Sequence, residues 1–392
     1  MSKDAALYMW KVQRDAARYK WKMSEMKETV VIKIDYENLD TDSNTKAIDQ
    51  CIKPAAQAIA QGKLVVFPTE TVYGLGANAL DNEAVESIFE AKGRPSDNPL
   101  IVHISEKSQL TGLIQALPPK AEMLMEAFWP GPLTLILKKS GQVPKGVTAG
   151  LDTVGIRMPA HPVALSLIRR AGIPIAAPSA NLSGRPSPTQ AEHVLTDLNG
   201  RVDFIIDGGS CEVGLESTVL DVTVEPPVIL RPGGITREML EEVIGRVDSN
   251  AIINGDEQEA EADSHKPRAP GMKYRHYAPA AEMYLVVGHE KKVVEVINNL
   301  AQKAAENNKR VGIMAADETL RFYKAPVVVG VGPAKALDKV ASGIYQALRQ
   351  FDREGVDVIF SEGYPEKGLG VAIMNRLKKA CGGKIVDADN KS

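Results

Sequence analysis

The sequence is poor in cysteine and in aromatic side chains. Of its 392 residues, three are cysteine and 5% are aromatic. Cys51, Cys211 and Cys381 are odd in number and far apart, which fits neither a disulfide framework nor a zinc site. A reducing compartment is therefore expected, and the sequence predicts a cytoplasmic protein.

Long apolar runs and an excess of one charge are missing as well. No run approaches the roughly 20 apolar residues that cross a bilayer, and no basic start leads into a secretion signal. Lys and Arg total 47 against 50 Asp and Glu, so the net charge is -3. Binding to nucleic acid would then need a local basic patch. Membrane insertion, secretion and dedicated duplex binding are all disfavoured.

The common phosphate-binding and catalytic motifs do not occur. The sequence contains no GxxxxGK[ST], HExxH, CxxC or GxSxG string. Residues 74–79 (GLGANA) formally satisfy G-x-G-x-x-A. They do not lie directly between a predicted strand and a helix, as the dinucleotide fingerprint requires. The chemistry has to come from other segments.

The length exceeds what one hydrophobic core usually serves, and apolar segments alternate in two blocks. The first block predicts an α/β domain with a mixed sheet, including one helix over residues 47–61 and a loop from residue 68 to 76. After an acidic stretch, a second alternation predicts a small, mostly parallel Rossmann-like sheet. The predicted organisation is an N-terminal extension with a short strand (1–44), a first domain (45–250), an acidic insert and linker (251–280) and a second domain (281–392).

The N-terminal extension carries five basic and four aromatic side chains between Tyr8 and Lys22. One interpretation is a basic aromatic helix for RNA or a membrane surface. The other is a frayed extension, with Met23 or Met26 as alternative starts. Untethered sequence accumulates at termini, which favours the second interpretation.

Polar segments follow the predicted strands of the first domain, where an open α/β sheet collects its ligands. Lys92 and Arg94, with Asn98 nearby, are typical of an anion site. Each other polar residue has a structural explanation as a cap, a turn or an ion pair; Arg157, for example, can pair with Asp152 or Asp203. The convergence of several such loops on one face favours a ligand site.

These same segments resemble the YrdC-type threonylcarbamoyl-AMP synthases. The matching strings, in the order of that family, are PTETVYGLG (68–76), KGRPSDNP (92–99), PGPLT (130–134), PSAN (178–181), ESTVLD (216–221) and LRPGG (230–234). PGMKYRHYAP (270–279) and the end that follows resemble the linker and C-terminal domain of the two-domain subfamily. The resemblance implies a YrdC-like twisted mixed sheet with helices, a linker, and a smaller Rossmann-like parallel α/β domain.

The resemblance also implies an activity. Such an enzyme joins L-threonine, bicarbonate or CO2, and ATP into threonylcarbamoyl-AMP and pyrophosphate, for the threonylcarbamoyladenosine modification of tRNA. Mg²⁺ would be bound through the ATP phosphates without a protein metal site, and a transferase complex would receive the product, with a weak tRNA contact also compatible. The alternative is a non-catalytic RNA-binding module of the same fold. A hydrogenase-maturation carbamoyltransferase would need zinc-finger and acylphosphatase-like segments that this sequence lacks.

By family position, the resemblance assigns roles to single residues. Its basic and polar catalytic signature corresponds to Lys92, Arg94, Ser179 and Asn181. Its threonine-binding positions correspond to Thr71, His103, Arg157, Ala177 through the main chain, and Ser217. Its ATP-binding positions correspond to Arg94, Asn98, Thr153, Ser179, Ser187 and Arg231. Because a carbamate on threonine is itself the nucleophile toward the α-phosphorus, no Ser-His or Cys-His pair is expected.

The linker string is too aromatic for a simple tether. We predict that Lys273, Tyr274, His276 and Tyr277 form a lid that excludes water from the site, with bends at its Pro-Gly start and its proline end. The alternative is that the string docks the C-terminal domain.

Overall fold

The computed structural model describes residues 27–34, 41–249 and 277–390. The strands of the first domain are β1 (Val30–Lys33), β2 (Val65–Phe67), β3 (Gly74–Asn78), β4 (Ile101–His103), β5 (Leu133–Lys138), β6 (Thr153–Arg157), β7 (Ile175–Ala176), β8 (Phe204–Asp207), β9 (Thr218–Asp221), β10 (Val228–Arg231) and β11 (Asp248–Ser249). Its helices are α1 (Thr41–Cys51), α2 (Lys53–Ala60), α3 (Asn82–Lys92), α4 (Pro119–Phe128), α5 (Lys145–Thr148), α6 (Pro162–Ala171), α7 (Ala191–Leu198) and α8 (Arg237–Ile244).

The second domain contains strands and helices in alternation. They are β12 (Glu282–Val287), α9 (Glu290–Glu306), β13 (Val311–Ala315), β14 (Val327–Gly330), α10 (Leu337–Glu354), β15 (Val358–Glu362), α11 (Leu369–Ala380) and β16 (Ile385–Asp387). Short 3-10 helices occur at Lys107–Leu110 and Leu320–Phe322. The basic aromatic segment, the acidic insert and most of PGMKYRHYAP lie outside the described residues.

Among the described residues, eleven strands form one mixed sheet in the order β1-β8-β2-β3-β7-β4-β6-β5-β9-β10-β11. β4 and β6 run parallel in its middle, whereas β2 with β3 and β5 with β6 are antiparallel. Parallel pairing with β8 makes β1 the edge strand of this sheet, although β1 precedes residue 45. Five strands of the second domain form an all-parallel sheet in the order β14-β13-β15-β12-β16. The predicted fold class is confirmed, and the domain boundaries stay a prediction.

Two predicted elements of the first domain were wrong. The helix expected over residues 47–61 is two helices, because Pro54 lies in the first turn of α2 and cannot donate to the carbonyl four residues before it. The loop expected after β2 turns back as strand β3, which pairs with β2. Gly76 permits this, because a Cβ there would lie 2.8 Å from the Phe67 ring and 2.9 Å from Ile175.

The apolar core of the second sheet extends into the first domain. Val72 and Leu215 pack in the same buried cluster as Ile344 and Tyr345 of α10. Burial of this shared apolar surface holds the two domains together. Cys51, Cys211 and Cys381 are free thiols. Within the three described ranges, no helix has the length and apolar character needed to span a membrane.

Candidate active site

A pocket lies against the middle of the first sheet. β4 and β6 are parallel there and end side by side, which places His103 opposite Arg157. The lining contains four arginines, one glutamate and this histidine. The full lining is Thr69, Thr71, Val72, Gly74, Arg94, Ile101, His103, Arg157, Ala177, Pro178, Ser179, Asn181, Arg185, Ser187, Glu216, Ser217, Arg231 and Tyr277. An excess of arginine over carboxylate favours anionic ligands.

Most of the residues predicted for the site meet in this pocket. Those in the lining are Thr71, Arg94, His103, Arg157, Ala177, Ser179, Asn181, Ser187, Ser217, Arg231 and Tyr277. Lys92, Asn98 and Thr153 are buried but outside the lining. Lys273, Tyr274 and His276 lie outside the described residues. The roles given to single residues stay predictions.

Three residues contact the Arg157 guanidinium: Gly131, Thr71 and Glu70. Its Nε donates to the Gly131 carbonyl at 3.2 Å and its Nη1 to Thr71 Oγ1 at 2.9 Å. Its Nη2 lies 2.7 Å from Glu70 Oε1, out of line for a hydrogen bond, so this contact is electrostatic. The expected partners of Arg157 were wrong, because Asp152 pairs with Lys138 and Asp203 with Lys27.

His103 is a neutral base at the floor of the pocket. Burial and the nearby Arg157 charge lower its pKa to about 3. Its ring packs edge-on against Phe67, with centroids 6.2 Å apart. Within the described part of the chain its Nδ1 has no hydrogen-bond partner. A neutral imidazole in the lining of the pocket can hydrogen-bond a polar ligand.

Lys92 organises a loop of the pocket from behind. It ends α3, and its buried Nζ donates to the Ser179 carbonyl at 2.5 Å and to the Asn181 carbonyl at 2.6 Å. Ser179 Oγ in turn donates to Asn181 Oδ1 at 2.6 Å. Burial, followed by the Arg94 charge, lowers the pKa of Lys92 well below its usual value. Lys92 therefore presents Ser179 and Asn181 without lining the pocket itself.

The other two outlying residues have separate environments. Asn98 is fully buried, and both polar atoms of its side chain lack a partner among the described residues. The main-chain carbonyl of Asn98 accepts a hydrogen bond from Arg94 Nη2 at 3.3 Å. Thr153 begins β6 opposite Lys138, away from the end of that strand that carries Arg157.

Ser217 and Arg231 are hydrogen-bonded to each other in the lining of the pocket. Arg231 Nε donates to the Ser217 carbonyl at 3.0 Å, and its Nη2 to Ser217 Oγ at 3.1 Å. The same hydroxyl lies 2.8 Å from Thr134 Oγ1. Gly233 allows the two segments to meet, because a Cβ there would lie 2.3 Å from the Thr218 nitrogen. Gly233 of LRPGG thus serves close backbone packing.

Glu216, the residue before Ser217, joins the pocket to the second domain. Its carboxylate accepts from Ser187 Oγ, from the Tyr345 hydroxyl at 2.9 Å and from Arg376 Nε at 2.8 Å. Burial alone would raise the pKa of Glu216, but the charges of Arg376 and Arg231 lower it to about 2. Glu216 is thus ionised throughout the physiological pH range.

Tyr277 is the one residue of the predicted lid that the structure describes. It lines the pocket in a left-handed backbone conformation, with φ of 64°. Its ring packs against Tyr345 at 5.5 Å between centroids, and the Arg376 guanidinium lies 5.3 Å from the ring centroid. The Ala278 amide donates to the Gly184 carbonyl at 3.0 Å. The end of the linker is thus seated between the two domains at the pocket.

Sequence comparisons decide the family. Residues 57–233 match the Sua5/YciO/YrdC family, described as "Telomere recombination". Residues 235–382 match the family described as "Threonylcarbamoyl-AMP synthase, C-terminal domain". The threonylcarbamoyl-AMP synthase of Pyrococcus abyssi (strain GE5 / Orsay) is 53% identical over 335 residues, which are 86% of this chain and 95% of that relative. The chain belongs to the threonylcarbamoyl-AMP synthase family.

Two further similarities cover almost the same span. The threonylcarbamoyl-AMP synthase of Bacillus subtilis (strain 168) is 50% identical over 349 residues, 89% of this chain and 98% of that relative. The crystal structure of P. abyssi Sua5 complexed with L-threonine matches with a TM-score of 0.84 at 50% identity, over 92% of this chain and 99% of that chain. The family and the enzyme class predicted from the sequence are confirmed.

Several charged residues at or behind the pocket were not among the predicted site residues. Glu70, Arg185 and Glu216 lie within or beside the motif strings, where an acidic residue among hydroxyl and basic ones was an available signal. Arg349 and Arg376 gave no such signal, because arginines on amphipathic helices are usually exposed. Both are buried here. Arg349 pairs with Asp197 at 2.7 Å, and Asp197 also holds Arg185.

Proposed function

We propose that this pocket is the site at which the chain makes threonylcarbamoyl-AMP from L-threonine, bicarbonate or CO2, and ATP, releasing pyrophosphate. The observation that carries the proposal is the convergence of Arg94, Arg157, Arg185 and Arg231 on one pocket. Among the residues that the structure describes, Glu216 is the one carboxylate in the lining, and it is already neutralised by Arg376. The substrates are a carboxylate, a carbonate species and a triphosphate, which such a site suits.

Two groups of residues in and near the pocket suit different substrates. We assign threonine to Thr71, His103, Arg157, Ser217 and the main chain at Ala177, because one cation and several hydroxyls match an amino acid with a hydroxyl side chain. We assign the nucleotide to Arg94, Ser179, Ser187 and Arg231, which offer two cations for its phosphates. For Asn98 and Thr153, a role requires that the nucleotide extends past the lining of the pocket.

The mechanism needs alignment more than a protein nucleophile. A carbamate oxygen formed on the threonine amine attacks the α-phosphorus, and the bond from that phosphorus to the pyrophosphate oxygen breaks. Arg94 would neutralise the charge that develops on the phosphates. Lys92 acts indirectly in this scheme, because its donors are used on the loop that carries Ser179 and Asn181.

Mg²⁺ is proposed as part of the nucleotide substrate. Among the described residues, no group of three or more His, Cys, Asp or Glu side chains could hold a metal ion. The pocket carboxylate of Glu216 is engaged by three donors of the protein. The side chains at hand therefore fit Mg²⁺ that arrives coordinated by phosphate oxygens.

The cellular context is proposed from the same chemistry. Three unpaired cysteines suit the cytoplasm. The product would pass to a transferase complex that modifies tRNA, and a weak tRNA contact is compatible with that transfer.

The lid formed by Lys273, Tyr274, His276 and Tyr277 stays a prediction. Its test is whether Tyr274→Ala/His276→Ala lowers turnover and raises futile ATP hydrolysis. Unchanged turnover without futile hydrolysis contradicts a lid.

Product analysis tests the proposed function. The full chain is incubated with ATP, bicarbonate and threonine, and the products are identified by mass spectrometry. We expect threonylcarbamoyl-AMP and pyrophosphate, formed only when threonine is present. ADP and orthophosphate as the threonine-dependent products would overturn the adenylation mechanism. Salt-sensitive RNA binding without pyrophosphate release would instead support the RNA-binding module.

A further inference from the structure

The second domain reaches the pocket through one buried arginine. Arg376 on α11 is 1% exposed. Its Nε donates to Glu216 Oε2 at 2.8 Å, and its Nη2 donates to the Pro232 carbonyl at 3.0 Å. Glu216 precedes Ser217, and Pro232 follows Arg231. Arg376 thus fastens both chain segments that carry the Ser217–Arg231 pair.

Glu216 passes this constraint to the lining of the pocket. Ser187 donates to its Oε1, and the Tyr345 hydroxyl lies 3.1 Å from Oε1 and 2.9 Å from Oε2. A buried carboxylate that loses its cation either takes up a proton or moves toward water. Protonation would weaken the hydrogen bond from the Ser187 hydroxyl, and movement of the carboxylate would break it. The position of Ser187 therefore depends on a residue of the other domain.

The same guanidinium contacts the end of the linker. It lies 5.3 Å from the ring centroid of Tyr277, a distance typical of a cation–π contact. Tyr277 also packs against Tyr345, 5.5 Å away between centroids. Arg376 is therefore the common partner of three separate pieces of the pocket: Glu216, the segment after Arg231, and Tyr277.

We propose that Arg376 is a positioning residue, by which the C-terminal domain fixes Ser187, the Ser217–Arg231 pair and Tyr277 in the arrangement that receives the substrates. This inference rests on the proposed function of the pocket. It gives the C-terminal domain a direct part in substrate binding, although Arg376 is outside the pocket lining. The competing explanation is that Arg376 only holds the two domains together.

Variants of the full chain separate these explanations. Arg376→Met removes the charge, Arg376→Lys keeps the charge without the planar fork, and Tyr345→Phe removes one donor to Glu216. The control is Arg353→Met, which breaks an exposed pair between the domains, Arg353 with Glu192 at 3.1 Å. For each variant, Tm is measured, and kcat and KM for ATP and threonine are obtained from pyrophosphate release below the unfolding transition.

For Arg376→Met we expect kcat/KM to fall at least tenfold, with partial recovery in Arg376→Lys and a smaller loss in Tyr345→Phe. Arg353→Met keeps the kinetic constants of the wild type. Glu216→Gln/Arg376→Met loses less than the product of the two single losses, because neither member of this ion pair is left charged without the other. A folded Arg376→Met with kcat and KM within twofold of the wild type overturns the positioning role. If Arg376→Met does not fold, the same twofold criterion applies to Tyr345→Phe. A wild type without threonine-dependent pyrophosphate release overturns the proposed function instead.

Discussion

Two buried arginine–glutamate pairs support the pocket, but their arginines belong to different domains. On one side Arg157 pairs with Glu70 at 2.7 Å, and on the other Arg376 pairs with Glu216 at 2.8 Å. All four side chains are at most 8% exposed. Each glutamate directly precedes a hydroxyl of the pocket, Thr71 or Ser217.

The difference lies in where the arginine comes from. Arg157 belongs to the same sheet as the pocket and lines the pocket itself. Arg376 comes from the second domain and acts from behind Glu216. One side is therefore complete within the first domain, and the other is completed only when the domains dock. Variants that remove one arginine at a time test this contrast.

The largest effect is expected for Arg157→Met. This change removes a pocket cation and leaves Glu70 buried without its partner. We expect kcat/KM for threonine to fall about a hundredfold or more, and the free energy of unfolding to fall by roughly 3 to 5 kcal/mol. Urea unfolding and pyrophosphate release measure the two effects. In Glu70→Gln/Arg157→Met, stability should recover while activity stays low. An unchanged KM for threonine would contradict the assignment of Arg157.

Variants of Arg94 and Lys92 separate a direct from an indirect effect on nucleotide binding. Arg94 lines the pocket, whereas Lys92 holds the loop that carries Ser179 and Asn181. Arg94→Ala should lower kcat about a hundredfold, as for the loss of one charged contact worth roughly 2 to 4 kcal/mol, with the Tm of the wild type. Lys92→Ala should lower both kcat and Tm, because the carbonyls of Ser179 and Asn181 lose their donor. Pyrophosphate release and thermal unfolding distinguish the two. Near-full activity in Arg94→Ala at normal Tm excludes this loop from the chemistry.

Acid unfolding tests the interdomain Glu216–Arg376 pair. The pKa of Glu216 is lowered from 4.5 to about 2 in the folded protein. Its ionisation therefore contributes stability above pH 4.5, and this contribution is lost as the pH falls toward 2, by roughly 3 kcal/mol in total. Glu216→Gln should show a flatter decline of the unfolding free energy over that window. Identical pH slopes in the wild type and in Glu216→Gln would mean that Arg376 does not hold this carboxylate ionised.

The smallest effect is expected for a hydroxyl that only stabilises the fold. Tyr73 belongs to the same string as Thr71, yet its hydroxyl donates to the Gly209 carbonyl at 2.6 Å, outside the pocket lining. Tyr73→Phe should cost about 1 kcal/mol of stability and leave KM for threonine unchanged. Thr71→Val is the matched variant, and its KM for threonine should rise. A raised KM in Tyr73→Phe would place its hydroxyl at the substrate instead.

Much of the fold was predictable because its helices and strands follow local patterns of apolar residues. The alternation of apolar segments predicted two α/β domains, and the resemblance to the family, together with the lid hypothesis, predicted eleven residues that line the pocket. Strand β3 was missed because its glycines have low strand propensity. These glycines leave room for the side chains of Phe67 and Ile175 to pack against the backbone. That requirement comes from the neighbouring strands and is not visible in the local sequence.

The sequence by itself determined the family, since the types and order of the motif residues are sufficient to identify it. It also predicted most of the described residues that meet in the pocket. Only the tertiary structure decided how these residues are held. The partner of Arg157 is Glu70 and not Asp152 or Asp203, and the partner of Glu216 lies 160 positions further along the chain. A buried ion pair depends on the distance through space and on the exclusion of water, which chain docking creates. Neither quantity can be read from the spacing of residues along the sequence.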